Sequence, residues 1–76
     1  MFEDVINRSR IRRTFDPARA RDLRKQARLS QGEIAKALGV RGPSVSRWES
    51  GERHPRGDVA EAYAAMLDQL AQELAL

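Results

Sequence analysis

Apolar residues recur at helical spacing along this chain, in blocks separated by short polar or Gly/Pro-bearing breaks. The sharpest pattern lies in residues 30–51. Ser30 and Glu33 have the Ser-x-x-Glu spacing of a capping box, in which each side chain satisfies an orphan backbone N–H of the first turn. Ile34, Ala35 and Leu38 then share one helical face, and Gly39 follows them where a left-handed C-terminal cap needs a residue without Cβ. Val40 is apolar within the turn and is expected to plug the space between two helices. Gly42-Pro43 restarts a helix, with Gly42 read as N-cap and Pro43 at the first helical position. Val45 and Trp48 face the core, and Gly51 closes the segment.

The flanking blocks are also helical. Asp16-Pro17 is an N-cap followed by a first-position proline, opening a helix that is expected to reach about Arg28. Its buried stripe is Ala20, Leu23 and Ala27, and Leu29 leads on to pack against Leu23 and Ile34. Residues 52–57 form a loop by composition. A long helix follows over about 58–75, striped with Val59, Tyr63, Met66, Leu67, Leu70 and Leu74, rich in alanine and acidic on its outer face. At the other end, Phe2, Val5 and Ile6 sit at i, i+3 and i+4, as in a short helix, and precede Arg8, Arg10, Arg12 and Arg13. Residues 1–15 are therefore read as an arm or short helix, tied to the body by Phe2, Val5, Ile6 and Phe15, and residues 16–76 as one domain. The predicted fold is all-α, a small bundle of four to five helices. The long helix carries more apolar surface than a small body covers, so Met66, Leu70 and Leu74 (with Leu76) are expected to form a dimer surface. The alternative is that the stripe is only the last wall of the core, which accounts readily for Val59, Tyr63 and Leu67.

Residues 30–51 resemble the helix-turn-helix of the phage-repressor family of DNA-binding domains, the Cro and lambda-repressor type. The resemblance is carried by Gln31 opening the first helix, Ala35 within it, Gly39 in the turn, Val45 in the second helix and Glu49-x-Gly51 closing it. Without a DNA role, the same stretch would be an ordinary αα-hairpin. The resemblance implies that Arg24 pairs with Glu49, tying the preceding helix to the second helix of the motif. It makes Gln31 a phosphate-clamping residue at a helix N-terminus, and runs the loop holding Arg53 and Arg56 beside the DNA backbone, with Arg56 able to enter a compressed minor groove. The family often breaks the C-terminal region into two helices; here no Pro or Gly interrupts it.

Charge sharpens this picture. Residues 1–56 hold all 14 Lys and Arg against seven acids, a net +7, whereas residues 57–76 hold four acids and no base. A basic face on a small domain fits a polyanion, although it can also be a merely solvated surface. Twelve of the fourteen cations are arginine, whose fork geometry suits phosphates and guanine edges and which a GC-rich genome also favours. At 76 residues without cysteine, the chain has neither a disulfide framework nor a thiolate metal site, and its stability must come from packed helices, a partner copy or both. No apolar run is long enough for a membrane span or a secretory core, so a cytoplasmic location is expected. His54 is the only histidine, and Ser44 and Ser46 have no base at a useful spacing. An enzyme, a metal, a cofactor and a small-molecule ligand are therefore not expected.

In a major groove, the second helix of the motif would present Arg47 first, because a guanidinium grips the O6 and N7 of guanine in a bidentate fashion. Ser44 and Ser46 reach bases or phosphates, and Arg41 sits at the lip. Pro43 offers at most contact with a thymine methyl, so readout at the start of the helix is weak and DNA shape gains importance. Arg10, Arg12 and Arg13 are expected on phosphates or in the minor groove, or else on a solvated terminus. The expected partners are double-stranded DNA and a second copy, and the expected function is a sequence-specific repressor that acts by occupying its operator. The alternatives are a DNA-binding antitoxin, whose C-terminal helix would hold a toxin, and a protein-interaction module that uses the fold as scaffold.

Overall fold

The computed structural model describes residues 2–75, without the side chains of residues 12–14; Arg12, Arg13 and Leu76 of the sequence reading lie outside what it describes. Five helices follow one another: α1 (Phe2–Thr14), α2 (Pro17–Gln26), α3 (Gln31–Leu38), α4 (Gly42–Ser50) and α5 (Gly57–Leu74). Each boundary has a local cause. The Asp16 carboxylate accepts the N–H groups of Ala18 and Arg19, and Pro17 fixes the first turn of α2. At the head of α3, Ser30 Oγ accepts the N–H of Glu33 while the Glu33 carboxylate accepts that of Ser30, both at 3.0 Å. Gly39, at φ +72°, caps the end of α3 in the left-handed region.

Two boundaries depart from expectation. α4 begins at Gly42, one residue early, with Arg41 as its extended N-cap and no side-chain cap bond. Proline normally pushes the preceding residue out of helical geometry through its Cβ, and Gly42 has none to clash. α2 ends at Gln26, short of Arg28, in a Schellman motif: Leu29 N–H bonds to Arg24 C=O and Arg28 N–H to Lys25 C=O. Glycine usually fills the left-handed position of that motif. Here Arg28 does, at φ +58°.

The core is where α2, α3, α4 and α5 converge. Ala20, Ile34, Ala35, Val45, Trp48, Tyr63 and Leu67 are buried together. Tyr63 is its hub, with ring centroids 5.1 Å from Trp48 and 5.6 Å from Phe15. Burial pushes the Tyr63 hydroxyl up to about 12, with the nearby Glu49 charge adding to the shift. Leu23, Leu29, Leu38 and Val40 seal the edges. Met66 and Leu70 are half-buried and pack against this core, and of the three expected dimer-surface residues Leu74 alone is exposed.

The N-terminal segment is a helix that packs on α5, and it does so with the opposite face from the one expected. Phe2, Val5 and Ile6 are 76%, 67% and 55% exposed and anchor nothing. Arg8 makes the connection instead, reaching Asp58 at 2.7 Å and Glu61 at 3.4 Å. Among the expected anchors only Phe15 joins the core.

Candidate nucleic-acid interface

α4 shows how nine residues produce one buried and one presented face. Val45, Trp48 and Glu49, at i, i+3 and i+4, are buried. Opposite them, Pro43, Arg47 and Ser50 fall at i, i+4 and i+7 and are exposed, with Ser46 exposed beside them. Arg47 has no carboxylate partner among the described residues, so its guanidinium is available to an external acceptor. Ser44 is half-buried and lies at the margin of this face, while Arg41 is exposed at the mouth of the helix.

The buried Glu49 fixes the pose of α4. Its carboxylate accepts Arg24 Nε at 2.7 Å, Arg24 Nη2 at 3.1 Å and Gln31 Nε2 at 3.1 Å, so one side chain of α4 is held from both α2 and α3. Arg24 also donates Nη1 to the Leu29 carbonyl at 2.9 Å. The two charged side chains are only 13% and 4% exposed, and the hydrogen bond to Glu49 raises the Arg24 pKa further. This arrangement carries orientation as well as stability, because α4 cannot roll without leaving a buried carboxylate unpaired.

Gln31 therefore has a structural task that the resemblance did not imply. Its amide is spent at least in part on Glu49. What remains toward solvent is backbone: the capping box satisfies the N–H groups of Ser30 and Glu33, leaving those of Gln31 and Gly32 at the positive end of α3. Above the Arg24–Glu49 pair lies a crevice of about 240 Å³ lined by Arg21, Lys25, Gln31, Ser46 and Ser50. Arg21 and Lys25 were not singled out from the sequence. The available signal was their i, i+4 spacing on either side of Arg24, which puts two cations on the α2 face that meets α4.

Beyond α4 the chain turns through Gly51, left-handed at φ +79°. Ser50 Oγ donates to the Arg47 carbonyl and accepts the Glu52 N–H, and Arg53 N–H bonds to the same carbonyl at 3.2 Å. Pro55 is buried and pins the loop, while Arg53, His54 and Arg56 point outward. Arg10 is exposed on α1, away from this pinned loop in sequence. Among the described residues no group of acids and histidine could hold a metal ion, and no helix is long and apolar enough to cross a membrane.

Comparison with known proteins agrees with this geometry. The chain is 46% identical over 46 residues to Antitoxin HigA1 of Mycobacterium tuberculosis, in strains CDC 1551 / Oshkosh and H37Rv. The matched stretch is 60% of this chain and 31% of that protein, so the likeness spans less than a third of the relative. No solved structure gives a significant match. A family model described as "Helix-turn-helix" matches residues 21–74, taking in most of α2 and all of α3, α4 and α5, and the chain belongs to this helix-turn-helix family of DNA-binding domains.

Proposed function

We propose that this chain binds double-stranded DNA sequence-specifically through α4 and regulates transcription, as a Cro-like repressor that occupies its operator. The observation that carries the reading is the presented face of α4, Pro43, Ser46, Arg47 and Ser50, on a helix whose roll Glu49 fixes. Arg47 is the principal base reader, forking onto a guanine edge. Ser46 and Ser44 add hydrogen bonds, Pro43 an apolar contact and Arg41 a contact at the groove's lip. The phosphates are gripped by the first-turn amides at Gln31, by Arg53 and Arg56, and by Arg21 and Lys25 beside the crevice. Arg10, Arg12 and Arg13 extend the basic surface on sequence grounds. Function in the cytoplasm, as a homodimer on DNA and without cofactor or catalytic step, completes the proposal.

A second reading follows from the likeness to Antitoxin HigA1: a DNA-binding antitoxin that also holds a toxin. Co-purification with the product of a neighbouring gene in the native operon separates it from a free-standing repressor.

Selection from a random duplex-DNA library at near-physiological salt tests the DNA reading. The expected result is an enriched inverted repeat with half-site centres about 34–36 Å apart. A single asymmetric motif keeps the DNA function and removes the dimer. No enrichment overturns the proposal in favour of a protein-interaction module.

A further inference from the structure

Among the described residues Arg28 is the one non-glycine at positive φ, +58° in the turn between α2 and α3. Glycine, without a Cβ, or asparagine, whose short side chain bonds locally, takes this conformation at least cost, and an arginine there lowers stability. Nothing within the chain offsets that cost. The Arg28 side chain is exposed and has neither a carboxylate partner nor a hydrogen bond among the described residues. The nearest acid in sequence, Glu33, is engaged with the Ser30 N–H in the capping box. Strain kept without internal compensation marks a residue whose side chain works outside the chain.

We propose that Arg28 is a phosphate-contacting residue of the DNA interface, retained at a strained position because its guanidinium grips the backbone of the duplex. The inference rests on the DNA reading above and extends its footprint to the α2–α3 turn. Arg28 stands three residues from Lys25 and three from Gln31, both of which line the crevice beside α4, and its N–H bonds to the Lys25 carbonyl at 3.0 Å. The next carbonyl, that of Leu29, accepts Arg24 Nη1 at 2.9 Å, and the same guanidinium holds Glu49 of α4. The turn is thereby fastened to the pair that sets the roll of α4, so Arg28 keeps a fixed place relative to the presented face.

Charge points the same way. Arg21, Lys25 and Arg28 are all exposed and none has a carboxylate partner among the described residues, so three unpaired cations follow one another along α2 and its C-terminal turn. Such a row matches successive phosphates of one strand better than it matches a single acceptor. The competing account is local: a cation beyond the last turn of a helix favours its negative end. Arg24 and Lys25 already stand in that last turn, and their own carbonyls are taken by the N–H groups of Leu29 and Arg28. Little is left there for the Arg28 charge to do.

Arg28→Gly and Arg28→Asn test this together, because both remove the charge and both suit the left-handed region. The affinity of each variant for the library-selected duplex and for an unrelated one is measured across a salt series, beside urea denaturation followed at Trp48. Both variants are expected to be more stable than the parent and to bind both duplexes about fivefold more weakly at ~0.15 M salt, with the slope of log K against log salt reduced by about one. Arg28→Lys, which keeps both the charge and the strain, should retain the slope and most of the affinity. Parent-like affinity and slope in both variants overturn the proposal. Lower stability in both also overturns it, by giving the arginine a task inside the fold, as does a loss confined to the selected duplex. These results leave the DNA reading standing, whereas a library that yields no enriched sequence removes that reading and this inference with it.

Discussion

Arg24 meets Glu49 at 2.7 Å, and Arg8 meets Asp58 at the same distance. The first pair is 13% and 4% exposed, receives a further hydrogen bond from Gln31 and joins three helices. The second is 43% and 91% exposed and joins α1 to the first turn of α5 at the solvent-facing surface. Equal distances therefore describe unequal interactions. In the first pair both charges have been desolvated, so each depends on the other; in the second, water replaces either partner at little cost. The helix-turn-helix is held by a contact that cannot be loosened gradually, whereas α1 is held by one that can.

The largest effect expected from this contrast is at Arg24. Arg24→Ala leaves the Glu49 carboxylate buried without its main partner and should cost about 3–5 kcal/mol, read by urea denaturation followed at Trp48. A loss below ~1 kcal/mol would place this pair with the exposed one. A smaller effect concerns Tyr63. Its hydroxyl titrates near 12 in the folded chain against 10 when unfolded, so the unfolded state releases its proton first as pH rises. Stability from this residue is intact below pH 10 and is lost between pH 10 and 12, by roughly 2 kcal/mol. A flat stability profile across that window would mean that Tyr63 is less enclosed than its packing between Phe15 and Trp48 implies.

Smaller still, and opposite in sign, is Arg28→Gly. The left-handed φ of +58° strains any residue with a Cβ, and relieving it should gain about 1 kcal/mol. A loss of stability on this substitution would show that the arginine side chain compensates its own backbone. Arg8→Ala is expected to cost less than ~1 kcal/mol and to leave the Trp48 unfolding transition a single one. A loss comparable to that of Arg24→Ala would break the comparison outright.

Local chemistry made much of this fold legible. The Ser30–Glu33 box, the Asp16-Pro17 start and the Gly39 cap each depend on residues within a few positions, so spacing alone locates them. Arg24 and Glu49 could be paired only through the resemblance, since nothing local joins residues 25 positions apart. Other features escaped because they depend on neighbours that spacing does not name. The i, i+3, i+4 pattern of Phe2, Val5 and Ile6 identifies a helix and its apolar stripe, yet it says nothing of what lies opposite. The structure puts α5 on the other side, against Arg8 and Ile11. Gln31 could be assigned a helix terminus but not its contact with Glu49, which exists only once α3 and α4 cross. The α4 face was readable in outline from Val45 and Trp48, whereas Arg21 and Lys25 join it only through the packing of α2.

The most direct test of the central claim, that the presented face of α4 reads DNA, is competition binding of the chain and its Arg47→Ala variant to the sequence selected from the random library. The account predicts a loss of about 1–3 kcal/mol on that sequence, relaxed preference at one base position, and little change on unrelated DNA. Unchanged affinity together with an unchanged selected motif would contradict it.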